Sequence, residues 1–309
     1  MSKKKKSTRR SGKSTAAKRR FHLPTISLAD SGKWMNRGFF SLIALGAMVG
    51  LIFGLAPLKA RVAQLRSDPL VVEIAWPLIA GDAERTWLND TEQDRLNALA
   101  SAHLTPDPFD AQSLEETQSA LYQTGWLRQP PRIERKPGGV IAIEGDWRLP
   151  AAVVRSDQWD RLVARDGSLL PIRYPVHGSG DLPVIVNTYT GPPRTADGAD
   201  AYGATWPGGD VAAAIALFDL LRQSDRYSSV SAIDVSRYVT EGLLTIVTNN
   251  GGQVVWGAAP GAGAPGEVRD AVKLSRFEKL FADATWLGAD RPPVEINTSR
   301  VLIDESAGR

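Results

Sequence analysis

Hydrophobic positions divide the chain into one long uncharged block followed by short runs. The block, residues 38–58, reads GFFSLIALGAMVGLIFGLAPL and holds no charged side chain over 21 residues. A helix rises about 1.5 Å per residue, so this length covers the roughly 30 Å hydrocarbon core of a bilayer. A cleaved signal peptide is the alternative, but its apolar region is only about 7–15 residues long. The pattern therefore predicts one transmembrane helix, followed by a linker at 59–68.

Glycines recur at intervals of four within this block. Gly46, Gly50 and Gly54 form G-x-x-x-G twice on one helical face. Small residues on such a face let a second helix approach closely in a membrane. We therefore expect these three residues to mark a packing surface of the transmembrane helix.

Residues 69–150 alternate between β-rich runs and amphipathic helices. The run LVVEIAWPLI predicts a strand over 70–79, although its proline suggests an edge or a bulge. A first helix follows, capped by Asn89 or Thr91, and then a second, with Ser113 and Glu116 placed as a capping box. Two strands, PRIERK and GVIAIEGDWRL, complete a small α+β domain of order β-α-α-β-β. The predicted buried stripe of the second helix consists of Leu114, Thr117, Leu121 and Tyr122.

Residues 151–304 read as a second domain of short β-rich runs separated by Gly, Pro and Asn. Strands flanking Asn249–Gly252 predict a hairpin, because those turn residues accept positive φ. Two helices interrupt the strands, DVAAAIALFDLLRQS with Asp210 as its cap, and EVRDAVKLSRFEKLFADATWL. A mostly antiparallel sheet with two or three helices fits this order. The whole fold class is α+β, and residues 305–309 form a short C-terminal tail.

Charge separates the first 37 residues from the rest. They hold 12 of the 37 Lys and Arg residues but one of the 34 acidic ones, so the tail carries +11 and the remainder −8. Such a tail lacks the apolar residues to form a core and is predicted to be disordered. The positive-inside rule places it in the cytoplasm and the later domains outside. We expect it to set topology and contact anionic lipid rather than bind nucleic acid specifically.

The residues do not assemble a recognisable reaction centre. The chain has no cysteine and three histidines, and it lacks H-E-x-x-H and G-x-S-x-G motifs. Residues 261–266 match G-x-G-x-x-G, but they follow a hairpin strand and too little chain remains for a dinucleotide fold, so a loop is predicted. The sequence therefore predicts a protein without enzymatic activity, metal, cofactor or small-molecule substrate.

Short segments of the chain resemble one bacterial family in their order. LYQTGWL at 121–127 is similar to the end of a helix in that family, where a P-W-V element leads to the next strand. IAIE and RLPAA, within 141–152, are similar to I-x-V-x-E-R-x-P-x-A, with three residues intervening. LVARDGSLL at 162–170 resembles L-V-D-x-D-G-x-V-L.

The C-terminal segment resembles the same family with substitutions. VEIN at 294–297 and VLI at 301–303 are similar to V-D-L-R-Y…V-A-V, although Glu295 stands in place of Asp and Asn297 in place of Arg. Motifs and layout together resemble the cell-division family FtsQ/DivIB, whose members carry a basic tail, one span, a POTRA domain and a β domain.

The resemblance implies a single-pass inner-membrane protein at the division septum. It implies a non-enzymatic divisome scaffold that binds small coiled-coil proteins such as FtsB and FtsL and, through them, FtsW and FtsI. A terminal strand offers unpaired backbone groups to such a partner. The alternatives are a membrane-anchored cell-wall hydrolase and a generic bitopic binding or sensing protein. The expected contact residues are Val294, Glu295, Ile296, Asn297, Arg300, Val301, Leu302 and Ile303.

The charge distribution generates a prediction about topology. Alkaline phosphatase fused to the C-terminus should be active, because the +11 tail keeps the N-terminus in the cytoplasm. A reporter that works only in the cytoplasm, fused at the same position, should be silent. The opposite pattern would contradict the predicted orientation.

Overall fold

The computed structural model describes residues 40–50, 53, 57–58, 61, 70–79, 82–156, 158–281, 287–300 and 302–303. The chain divides into two compact units, Met1–Val62 and Ala63–Arg309. The predicted tails at 1–37 and 305–309, most of the predicted linker and Val301 lie outside the described residues.

The first unit contributes helix α1, residues 40–50, which falls within the predicted span. Every side chain of α1 is exposed, and a Cβ added at Gly46 or Gly50 would meet nothing within 4 Å. Gly54 lies outside the described residues. In the part of the chain that the structure covers, no helix has the length and apolar character needed to cross a membrane. The span over 38–58 stays a prediction.

The second unit begins with the predicted β-α-α-β-β order. Its three-stranded sheet has the order β1-β5-β4, with β1 parallel and β4 antiparallel to β5. An additional hairpin, β2–β3, precedes the helices. The elements are β1 (Val71–Ile74), β2 (Leu78–Ile79), β3 (Asp82–Thr86), α2 (Asp90–His103), α3 (Ala111–Gln123), β4 (Arg132–Arg135) and β5 (Val140–Glu144).

The structure contradicts the first predicted strand and confirms the predicted cap of the first helix. The prediction of one strand over 70–79 is wrong, because β1 ends at Ile74 and Leu78–Ile79 pair with β3 instead. Pro77 has no N–H to continue the ladder. The predicted cap of α2 is confirmed, since the Asn89 side chain accepts from the Glu92 N–H at 2.9 Å.

The predicted cap of α3 is wrong. Asp110 caps the helix by accepting from the Ser113 N–H at 3.1 Å. Ser113 lies within the first turn, buried, where its hydroxyl donates to the Asp110 carbonyl. The buried face is therefore Ser113, Thr117 and Leu121, whereas Tyr122 is exposed.

A nine-stranded sheet forms the rest of the second unit, in the order β14-β13-β12-β11-β10-β9-β6-β7-β8. Five of its eight pairings are antiparallel; β6–β9, β9–β10 and β12–β13 are parallel. The fold is thus mixed α+β, and the hairpin predicted around Asn249–Gly252 is confirmed as β11–β12. The elements are β6 (Pro150–Ser156), β7 (Trp159–Ala164), β8 (Leu169–Pro175), β9 (Val184–Val186), α4 (Asp210–Leu221), β10 (Val230–Asp234), α5 (Tyr238–Glu241), β11 (Leu244–Thr248), β12 (Gln253–Gly257), α6 (Asp270–Leu280), β13 (Val294–Glu295) and β14 (Leu302–Ile303).

Two hydrophobic clusters organise the second unit. One joins α4 and α6 to the large sheet and includes Phe218, Trp256 and Phe277. The other crosses the boundary predicted at Pro150, because Leu96 and Trp126 pack in the same cluster as residues of β6 to β8. The domain boundary itself stays a prediction.

A buried ion pair ties β7 to its surroundings. Asp160, whose side chain is 0% exposed, accepts from the Arg155 guanidinium at 2.8 and 2.9 Å. It also accepts from the His177 N–H at 3.2 Å and the Ser179 hydroxyl at 3.4 Å. Burial by itself raises the pKa of Asp160, but the Arg155 hydrogen bonds and charge outweigh it and hold the pKa below its ordinary value.

Asp160→Asn should lower the free energy of unfolding by about 3 kcal/mol at neutral pH, because it leaves Arg155 without its countercharge. A carboxylate with a depressed folded-state pKa stabilises fully above the unfolded value of about 3.9 and loses that contribution as pH falls through the folded value. In urea unfolding, the difference between wild type and variant should therefore shrink in strong acid. The exposed Asp181 supplies the control, Asp181→Asn. A difference equally large in strong acid would contradict the assignment.

Candidate partner-binding edge of the large sheet

The described sheet ends in β8 on one side and β14 on the other. Prolines occupy two of the seven positions of β8, Pro171 and Pro175, and cannot donate hydrogen bonds. A loop also pairs with this edge, since the Leu169 N–H donates to Ala204 at 2.9 Å and Leu169 accepts from the Gly203 N–H at 2.7 Å. The β8 edge is therefore poorly suited to receive another strand.

The opposite end is a short ladder of two strands on β12. β13 runs parallel to β12, and β14 pairs antiparallel with β13, placing Val294 opposite Ile303 and Glu295 opposite Leu302. The Ile296 N–H donates to the Val255 carbonyl at 3.2 Å, so the backbone groups of residues 294 and 296 face β12. Alternation then directs those of Glu295 towards Leu302, and those of Ile303 away from β13. Among the residues that the structure describes, no further strand pairs with the outer side of β14.

The structure separates the predicted contact residues by their exposure. Val294, Ile296 and Asn297 are buried, so their side chains support the edge from inside. Glu295 is half-buried and Arg300 is exposed, while the side chains of residues 301–303 lie outside the description. The predicted set therefore contains both supporting residues and residues available to a partner.

An ion pair lies beside Glu295. The Arg237 guanidinium donates to the Glu241 carboxylate at 2.6 Å. This hydrogen bond, with the charges of Glu241 and Glu295, raises the pKa of Arg237. The hydrogen bond from Arg237 in turn lowers the pKa of Glu241. Glu295 thus has a cation near it.

A buried polar network lies beneath the edge. The Lys273 ammonium donates to Glu267 at 2.7 Å, and the two side chains are only 2% and 9% exposed. Glu267 also accepts from the Ala258 N–H at 3.0 Å and from the Asn297 amide at 3.2 Å. Lys273 further lies 3.7 Å from Asp270 and 5.4 Å from the centre of the Trp256 ring. The network joins the end of β12, α6 and Asn297, the second residue after β13.

Sequence reasoning did not find this network or Arg276, which donates to the same segment. One signal was present: Lys273 lies four residues before the buried Phe277, where an amphipathic helix keeps its apolar face. A cation at such a position indicates a buried partner.

The predicted loop at 261–266 follows β12 and precedes α6. Gly261, Gly263 and Gly266 all have positive φ, and the Gly261 N–H donates to Asp270 at 2.8 Å. Among the described residues, no group of three or more His, Asp or Glu side chains could hold a metal ion.

The edge strand β14 thus belongs to a large mixed sheet in the second compact unit of the chain. Residues 152–299 match the family described as cell division protein FtsQ/DivIB, C-terminal. This match identifies residues 152–299 as a C-terminal domain of the FtsQ/DivIB family of cell-division proteins. No curated protein matches the chain.

Gly257 provides a test of the network. With φ of +94°, it lies where an added Cβ would overlap the Glu267 carboxylate and come within 2.7 Å of the Asn297 Cβ. Gly257→Ala should therefore lower the free energy of unfolding by more than the roughly 1–2 kcal/mol that the left-handed conformation costs a residue with a Cβ. Gly261→Ala is the matched control, since Gly261 has φ of +80° and open space around it. If urea unfolding showed the same loss of unfolding free energy in both variants, the network would tolerate displacement of the Glu267 carboxylate.

Proposed function

We propose that this protein is a non-enzymatic assembly component of the cell-division machinery, which receives an extended segment of a small division protein on the β14 edge. The family assignment supports a role in cell division and interaction with other division proteins. The observation that carries the binding mode is the asymmetry of the sheet. One edge carries a loop and two prolines, whereas β14 at the other edge pairs with no further strand of the described residues.

Strand addition explains how binding can coexist with the sequence differences at the C-terminus. Hydrogen bonds from the main chain supply much of the affinity in this mode, whereas side-chain pockets supply specificity. Glu295 therefore changes the selection of a partner more than the capacity to bind one, whereas the buried Asn297 supports the edge from inside. The partner class proposed is the FtsB/FtsL-like coiled-coil protein, which would connect the edge to FtsW/FtsI-like septal wall synthesis.

The proposal includes a membrane tether at 38–58. Its support is the 21-residue uncharged sequence and the exposed apolar surface of α1. The glycine face at Gly46, Gly50 and Gly54 is proposed as a helix-packing surface. The basic tail is proposed to remain cytoplasmic against anionic lipid, leaving the sheet on the outer side, at the division septum.

Ile303→Pro should abolish binding of a purified FtsB/FtsL-like protein from the same bacterium. Proline removes the N–H that β14 directs outward, and an added strand cannot replace this donor. Ile303→Ala changes the side chain and keeps the donor, so its affinity should remain within a few-fold of wild type. Titration calorimetry on the folded, detergent-solubilised proteins gives the comparison. Undiminished binding by Ile303→Pro would place the interface elsewhere, and the glycine face would be tested next.

A further inference from the structure

The Arg276 side chain of α6 forms hydrogen bonds with the backbone that connects β13 to β14. Its guanidinium donates to the carbonyl of Ile296 at 2.8 Å and to that of Ser299 at 3.1 Å, and it also donates to the carbonyl of Thr298. Three backbone acceptors within four residues thus converge on one half-buried side chain. This geometry needs the planar, multiple-donor guanidinium, which a single ammonium group does not reproduce.

The strands that this connection joins are too short to fix their own position. β13 and β14 each contain two residues and share two residue pairs. An isolated two-stranded hairpin is only marginally stable even when its strands are longer. The position of β14 therefore depends on contacts other than its pairing with β13. In the described residues, Arg276 of α6 supplies such contacts to the connection that leads into β14.

The start of the connection is held at a second point. The Val268 N–H donates to the Asn297 carbonyl at 2.8 Å, and the Asn297 amide donates to Glu267. Glu267 is in turn fixed by the buried Lys273. Two residues thereby anchor the segment 296–299. Glu267, which precedes α6, binds it at Asn297, and Arg276 within α6 binds it as far as Ser299.

We propose that Arg276 is a positioning residue for partner binding: it orders the 296–299 connection so that β14 presents its outer backbone in advance. This inference rests on the proposed function of the β14 edge. An edge that is ordered before binding loses less conformational entropy when a segment adds to it. Through this arrangement, α6 sets the affinity of the edge without the Arg276 side chain contacting the partner.

The test uses the full chain in detergent with Arg276→Lys and the matched control Arg269→Lys. Arg269 is exposed at the start of α6, so both substitutions keep the charge on the same helix. Hydrogen exchange of the free protein should be at least about tenfold faster over 294–303 in Arg276→Lys and unchanged in Arg269→Lys. The melting temperature should stay close to that of the control.

Affinity for the purified FtsB/FtsL-like protein is the second readout. Arg276→Lys should bind about tenfold more weakly, with slower association at unchanged salt dependence. If the arginine instead served as a direct charge contact, lysine would preserve binding, exchange would not change, and the inference would be overturned. If Arg276→Lys does not fold, Asn297→Ala loosens the other anchor of the segment and should change both readouts in the same direction.

The outcomes separate this inference from the function on which it rests. Unchanged exchange over 294–303 overturns the ordering role of Arg276. Faster exchange with unchanged affinity overturns its role in binding. Faster exchange in a protein whose wild type binds no such partner supports the ordering role and overturns the proposed function.

Discussion

The ion pair between Lys273 and Glu267 holds together the C-terminal end of the large sheet. Removing both charges from water is unfavourable unless their geometry and remaining hydrogen bonds compensate. Here Glu267 accepts from Lys273, the Ala258 N–H and the Asn297 amide, so its carboxylate is well satisfied. These donors come from α6, from the residue after β12 and from the second residue after β13, so the pair is satisfied only when the three segments meet. Gly257 is required at this meeting point, since a side chain there would displace the carboxylate.

The two ends of the large sheet obey opposite constraints. An exposed edge is a hazard for unplanned association, and proteins protect edges with prolines and covering loops. β8 has both, with Pro171, Pro175 and the backbone of Gly203 and Ala204. β14 pairs with no further strand of the described residues on its outer side, and buried residues support its neighbour β13. This difference is why the proposed binding role concerns one end of the sheet only.

The N-terminal part of the second unit shares a core with the start of the large sheet. Trp126 and Leu96 belong to the same cluster as Val153 and Leu162, which follow the predicted boundary at residue 150. Trp147 donates from its indole to the Ala75 carbonyl at 2.9 Å, which ties the strand end of β1 to the residues before β6. The family match begins at residue 152, just inside this shared core.

Local patterns in the sequence determined the element types, most of their order and the family. The Asn249–Gly252 hairpin and the Asn89 cap are encoded within a few residues, so they could be predicted without knowing the fold. The same local reasoning misplaced the cap of α3, because Ser113 and Asp110 both offer suitable oxygens and burial of Ser113 decides between them. Tertiary structure alone decided the strand order, the protected edge at β8 and the buried partners of Lys273 and Arg276. Those features include contacts between residues 30 or more positions apart, such as Glu267 and Asn297. No periodicity in the sequence records which distant groups share a desolvated site.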